Sequence, residues 1–524
     1  MRAKRIQPPL YSLAGITLLY SSAYFLPALT PKGLYFFHPE DLGRFCAAAL
    51  GQFMVFLCLN TAVYAGARAL LPKRWVELLA FPLFALLVLL AAKGLFDVYG
   101  MDWYRALPAA WGDPLTVRRA VKVCAFLASL ALLGATSRSL AKWSRALASL
   151  GFAFGILAVC RIVWLAAATP HAGVPPAAAN AATAVHASSV EGPAAAAVKS
   201  DRPKRVVWVI FDETDLGPIH GRELVPPDQL PNFKRLAAES VSAVRANSPA
   251  SSTVYSIPAL LSGVPLGGAG MHIGYSGRMA LQRPDSQWVS FDEGTSIFGA
   301  LAQQGRSASV LGFYHPYCKL FDLRRCQSFS YPEIYGLPGA LLTNLPDSLW
   351  ARGRELRFWG DITSRSLALL PEYLARDDDL TFVHLNVPHP PAAYANRVLG
   401  LQGSADPLVD YAHNLRLADS ILGQIITQLS GLQARHELLL VVSTDHWFRT
   451  QWFSQPEPDS SRPIPLMVWR VGDREGYPLT QPVSSVHTAA MILDFLDGKI
   501  DTQAEIAAWW QRQPVIPAFI APIS

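Results

Sequence analysis

The chain has 524 residues, 51% of them apolar and only 16% charged, with 45 basic against 39 acidic side chains and a formal charge of +6. Its mean hydropathy of +0.23 excludes a disordered chain and departs from the average soluble protein. The length allows two or three domains, and the modest positive charge requires no nucleic acid.

The apolar excess lies in the first third. Mostly apolar stretches at 10–29, 45–66, 76–97, 120–137 and 146–168 are each long enough to span a bilayer as a helix. No small-residue cleavage site follows the first, so it reads as a retained span. Arg2, Lys4 and Arg5 precede span one, Arg68, Lys73 and Arg74 lie between spans two and three, and Arg138, Lys142 and Arg145 between four and five. The positive-inside rule assigns these loops to the cytoplasm and everything after residue 168 to the other side. Arg118, Arg119 and Lys122 run against that pattern. Cys46, Cys58, Cys124 and Cys160 fall in or beside the spans, where a thiol packs as a small apolar group.

Residues 169–204 are rich in Ala and Pro and poor in large apolar side chains, a composition suited to a tether. Beyond it, strands are expected at Val206–Phe211, Ser309–Tyr314, Leu380–Leu385, Leu438–Val442 and Pro465–Trp469. Helical patterns occupy Pro231–Glu239, Thr295–Gln304, Tyr411–Leu429 and His487–Leu496. Strands alternating with helices imply a mainly parallel sheet sandwiched by helices. The fold class is therefore a multi-span α-helical membrane domain (1–168), a linker (169–204) and an α/β extracytoplasmic domain (205–524). Cys318 and Cys326, eight apart, suit a disulfide in an oxidising compartment. Asp377-Asp378-Asp379 reads as a solvated turn without chemistry.

Chemistry-bearing residues collect where buried strands end, the edge at which open α/β sheets bind ligands. Leu438–Val442 runs into Ser443-Thr444-Asp445-His446. That pair is either an oxygen and a nitrogen ligand for a metal such as Zn²⁺ or a capping Asp beside a surface His. Asp212-Glu213-Thr214-Asp215 places carboxylates where burial is costly without a cation, though Asp215 suits a loop cap better. Ser251-Ser252-Thr253 precedes a short apolar helix closing at Gly263, so its hydroxyls sit near a positive helix end. No G-x-S-x-G elbow lies nearby, so metal activation is the better route to a nucleophilic hydroxyl, while the segment read alone is a capped helix. His384 and His389 follow Thr381-Phe382-Val383, and flanking prolines keep them off a helix.

Together these segments resemble the sulfatase-like branch of the alkaline phosphatase superfamily. Within it the chain is similar to membrane-anchored phosphoethanolamine transferases and, more distantly, to lipoteichoic acid synthases. Asp212-Glu213-Thr214 matches their Gly-Glu-Thr, and Thr253-Val254-Tyr255-Ser256-Ile257-Pro258 matches their nucleophile segment. Leu260-Leu261-Ser262-Gly263 sets the same register, with Thr253 ten residues before Gly263. Asp445 and His446 match their Ser-Asp-His-Gly, and His384 and His389 their Leu-His-x-x-x-x-His-Gly-Pro.

The resemblance implies Thr253 as nucleophile and Glu213, Asp445 and His446 as metal ligands, with Asp212 a further candidate. It implies His389 and His384 as substrate-binding, one or two divalent ions of the Zn²⁺ type, a membrane lipid donor and an envelope lipid or glycan acceptor. The expected reaction moves a phospho-containing head group through a phospho-threonine intermediate, in a bacterial-type inner membrane with the catalytic domain periplasmic. A phosphoester or sulfuric ester hydrolase and an inactive envelope scaffold are the alternatives. Thr253 and Ile257 replace the convertible Cys or Ser and the Arg of sulfatases, which disfavours sulfate ester hydrolysis. Trp447-Phe448 replaces the transferases' Gly-Glu, and the next His after His446 is His487.

Overall fold

The computed structural model describes residues 202–219, 229–274, 277–330, 347–404, 406–448 and 462–520, with scattered positions at 14–70, 152 and 156. The five expected spans and residues 169–201 of the Ala/Pro-rich linker fall outside the continuously described residues, and Lys204, the expected last residue of that linker, begins the first strand. Among the described residues, no helix is long and apolar enough to cross a membrane. The chain divides into two compact units, Met1–Ala172 with Leu337–Leu342, and Gly173–Gly336 with Thr343–Ser524.

In chain order the second unit holds β1 (Lys204–Asp212), β2 (Val241–Ala243), β3 (Ala246–Asn247), β4 (Met271–Ile273), β5 (Met279–Gln282) and β6 (Trp288–Phe291). Then follow β7 (Ala308–Tyr314), β8 (Arg325–Ser330), β9 (Leu380–Pro388), β10 (Glu437–Ser443), β11 (Leu466–Arg470), β12 (Tyr477–Leu479) and β13 (Val483–Ser484). Eight of them form one sheet in the order β12-β2-β11-β10-β1-β9-β7-β8. Its centre, from β10 through β1, β9 and β7 to β8, is parallel, and β11 runs antiparallel to both β10 and β2. The five expected strands are all in this sheet. They were the readable ones because each is buried on both faces and so is apolar at successive positions.

Alternate residues of β1 face two helical layers. Val207, Val209 and Phe211 join a core with Phe233, Ile362, Leu370, Leu415 and Leu422, from helices Pro231–Glu239, Asp347–Leu374 and Pro407–Ser430. Trp208 turns the other way, edge-on to Phe382, which packs in turn on Phe298 of helix Ile297–Gln303. Helix Thr488–Leu496 also lies against β1.

Helix Pro407–Ser430 starts a turn earlier than its apolar periodicity indicates. Asp406 accepts from the Leu408 N–H at 2.9 Å, with Pro407 at the first helical position, a start that suits proline. Helix Asp347–Leu374 carries Pro371 and mixed charge, which hides its period in the sequence. Cys318 and Cys326 are disulfide-bonded, tying the turn Tyr317–Leu320 to β8. The acidic turn differs from expectation: Asp378 is buried and accepts from Arg376 Nε at 2.8 Å. Asp379 accepts from the Ser307 N–H at 2.8 Å. Both carboxylates hold loops together at the amino edge of the sheet.

Leu440 is fully buried in β10, so Leu440→Ala is expected to cost about 2–5 kcal/mol. The midpoint shift in a denaturant titration, multiplied by the slope m, checks it.

Candidate metal and nucleophile site

Because β1, β9, β10 and β7 run parallel, their carboxyl ends share one edge, and the expected site residues meet there. A register shift after Phe211 opposes Asp212 to Pro388 while Ile210 still opposes His384. The extra residues of β9 carry the chain on to His389.

Asp445 is fully buried, and its Oδ1 accepts from the Glu213 N–H at 3.0 Å, the His446 N–H at 2.8 Å and Thr444 Oγ1 at 3.3 Å. Thr444 Oγ1 also accepts from the Thr214 N–H at 2.9 Å, so the ends of β1 and β10 are laced together. Glu213 has φ 62°, the left-handed region that costs a non-glycine residue roughly 1–2 kcal/mol. Tyr411 spans this turn. Its hydroxyl donates to the Glu213 carbonyl at 3.0 Å and accepts from the Asp215 N–H at 2.9 Å. Asp215 caps the next turn as expected, accepting from the Gly217 N–H at 2.9 Å and pairing with Arg462 at 3.2 Å.

Thr253 opens helix Thr253–Ser262, which Gly263 closes at φ 66°. Its Oγ1 lies 3.5 Å from Asp212 Oδ1 and 3.3 Å from His446 Nε2. His446 Nδ1 lies 2.8 Å from the Trp447 carbonyl. A carbonyl only accepts, so Nδ1 carries the proton and Nε2 presents a lone pair. That lone pair faces Asp445 Oδ2 at 3.3 Å, a buried oxygen with no hydrogen-bond partner. Two electron-pair donors facing each other in a buried site are balanced by a cation between them. An imidazole whose other N–H is held by a carbonyl is also the usual form of a metal-bound histidine. Ligand atoms of Asp212, Asp445 and His446 lie within 4.8 Å of one another. Two carboxylates and an imidazole suit Zn²⁺ or a similar divalent ion.

Glu213 sits beside this trio. One oxygen is 4.0 Å from His446 Nδ1 and the other 3.8 Å from His389 Nε2. His389 stacks flat on Trp359, 4.7 Å between ring centroids, and its Nδ1 bonds to the Pro390 carbonyl. His384 is buried behind it; Nδ1 meets the Tyr317 hydroxyl at 2.8 Å, and Nε2 has no hydrogen-bond partner.

His315, absent from the sequence reading, bonds through Nε2 to the Thr253 carbonyl at 3.0 Å. The rule that found Asp445, applied to the end of Ser309–Tyr314, points to it. Tyr317, Trp359 and Tyr411 carried no such signal, because a buried aromatic looks alike in core and site.

Burial works to raise the Asp445 pKa, while the hydrogen bond from the Glu213 N–H favours its ionised form. Burial pushes the His384 imidazole down to about 4 despite Asp445, and that of His315 down to about 3. Burial also holds the Tyr411 phenol well above its ordinary value, with Asp215 adding to it.

Residues 204–498, more than half of the chain, match the family model described as Sulfatase. No curated protein sequence matches the chain. Among solved structures, it is similar to the C-terminal periplasmic domain of phosphoethanolamine transferase EptC from Campylobacter jejuni. Identity is 14% and the TM-score 0.37, over 56% of this chain and 90% of that one. The corresponding domain from Escherichia coli, in complex with Zn, has 13% identity and a TM-score of 0.38, over 57% and 83%. A protein in the alkaline phosphatase superfamily from Vibrio parahaemolyticus has 11% identity and a TM-score of 0.38, over 60% and 71%.

Both buried imidazoles are neutral in the native state, whereas in the unfolded chain they protonate near pH 6.5. Between their folded values and pH 6.5 the unfolded chain binds more protons, so stability falls as pH drops through that window. From pH 7 to pH 5, each is expected to remove about 2 kcal/mol from the metal-free protein. Guanidinium unfolding at the two pH values measures this, and His315→Gln should reduce the difference by about 2 kcal/mol.

Proposed function

The chain belongs to the sulfatase family, and from that premise we propose that it is a membrane-anchored, metal-dependent transferase. It moves a phospho-containing head group, such as phosphoethanolamine, from a lipid donor to an envelope lipid or glycan acceptor. The observation that carries this reading is a threonine hydroxyl at a helix N-terminus, within reach of a carboxylate and an imidazole lone pair. A lipid donor suits the apolar stretches of residues 10–168, which would anchor the chain in a bacterial-type inner membrane with 205–524 on the periplasmic side.

Asp212, Asp445 and His446 would hold the divalent ion, with Glu213 beside them. When bound, such an ion polarises a phosphoryl oxygen and eases ionisation of a hydroxyl. Asp212 Oδ1 is the acceptor for the Thr253 hydroxyl proton. Thr253 Oγ1 attacks phosphorus as the bond from phosphorus to the lipid alcohol breaks, and a phospho-threonine diester forms. Amides of the first turn of helix Thr253–Ser262 favour the anionic group. His389, when protonated, pairs with Glu213 and passes its proton to the departing oxygen.

In the second step the acceptor hydroxyl attacks the same phosphorus and yields its proton to His389. Thr253 Oγ1 leaves and regains the proton held on Asp212. His384, neutral and buried, offers Nε2 to the phosphoryl group.

Thr253→Ala is expected to lower turnover roughly 10³-fold or more with an unchanged unfolding midpoint. Mass spectrometry of the protein quenched with a phospholipid should find the added group on Thr253. Turnover retained by the variant overturns the assignment. Release of the group to water alone would identify a hydrolase, and a metal-free domain indifferent to Glu213→Ala an inactive scaffold.

A further inference from the structure

We propose that Tyr411 is a positioning residue that clamps the two metal-bearing strand ends together, an inference that rests on the metal-dependent reading above. It belongs to neither strand. It projects from helix Pro407–Ser430, and its side chain is buried. Its hydroxyl brackets the turn after β1, donating to the Glu213 carbonyl at 3.0 Å and accepting from the Asp215 N–H at 2.9 Å. Its ring stacks on Phe448, 3.9 Å between centroids and 21° between planes. Phe448 lies two residues after His446, in the loop that leaves β10. One side chain on a third element therefore grips both loops that supply the donor atoms.

The grip acts on the strained point of the site. Glu213 holds φ 62°, a conformation that persists only where its surroundings impose it. The hydroxyl occupies the carbonyl of Glu213 and the N–H of Asp215, the two peptide groups flanking Thr214. Without it both would be buried polar groups lacking this partner, and the turn would gain by relaxing toward ordinary backbone angles. Relaxation there moves Asp212 and Glu213 relative to Asp445, to which Glu213 is joined by its own N–H. The clamp thus sets the spacing between carboxylates on β1 and the Asp445-His446 pair on β10.

The test uses the full chain, titrated with Zn²⁺ against a competing chromogenic chelator, with the metal-free unfolding midpoint recorded for each variant. Tyr411→Phe keeps the ring stack and removes the hydroxyl. It is expected to weaken Zn²⁺ binding about 10- to 100-fold. Tyr373→Phe, a buried tyrosine of helix Asp347–Leu374, is expected to keep wild-type affinity whatever its midpoint.

Affinity of Tyr411→Phe equal to wild type, even with a lowered midpoint, makes Tyr411 an ordinary core residue and overturns the proposal while leaving the transferase reading intact. A wild-type chain without Zn²⁺ affinity overturns both. If Tyr411→Phe does not fold, Phe448→Leu tests the clamp from its other end, where weakened binding supports it and unchanged binding overturns it.

Discussion

The site depends on a buried carboxylate that does two jobs with its two oxygens. Asp445 Oδ1 accepts from the Glu213 and His446 amides and from Thr444, which welds the end of β1 to the end of β10. Asp445 Oδ2 is left facing the lone pair of His446 Nε2. The first set of bonds fixes where the second oxygen points. A carboxylate in such a place is stabilised by charge, and the two amide hydrogen bonds to Oδ1 favour its ionised form.

From that constraint the other features follow. Glu213 must leave its strand at a positive φ to present its N–H to Asp445, and Tyr411 holds the turn that results. His446 must carry its proton on Nδ1, because the Trp447 carbonyl can only accept. Its other nitrogen is thereby reserved for the space shared with Thr253, Asp212 and Asp445. Thr253 arrives at this space from a different layer, at the start of a helix, so its hydroxyl meets the carboxylates near a positive helix end. His384 and His315 line the same edge as neutral imidazoles, since burial makes their charged forms too costly. They can accept or donate single hydrogen bonds without adding charge to the candidate metal site.

Much of this was legible in the sequence for one reason: a strand buried on both faces is a continuous apolar run, and its end is where polar residues resume. Asp212, Glu213, His384, His389, Asp445 and His446 stand out by that rule, whereas Thr253 was singled out from its hydroxyl run only by the resemblance to the transferases and sulfatases. Short strands such as β2 and β12 were not legible, being three residues long. Helix Asp347–Leu374 was hidden by its proline and mixed charges. His315 obeys the same rule, but a single His after a strand has no meaning until its partner, the Thr253 carbonyl, is known.

The chain order of residues determined by itself which groups would stand at strand ends, since periodicity is local and survives without tertiary contacts. Tertiary structure alone decided how those groups divide their labour. Asp212 joins the Asp445-His446 pair while Glu213 turns toward His389, although the two are adjacent in sequence. The division follows from one left-handed residue and the tyrosine bracing it across about 200 positions of chain, a relation that no local pattern encodes.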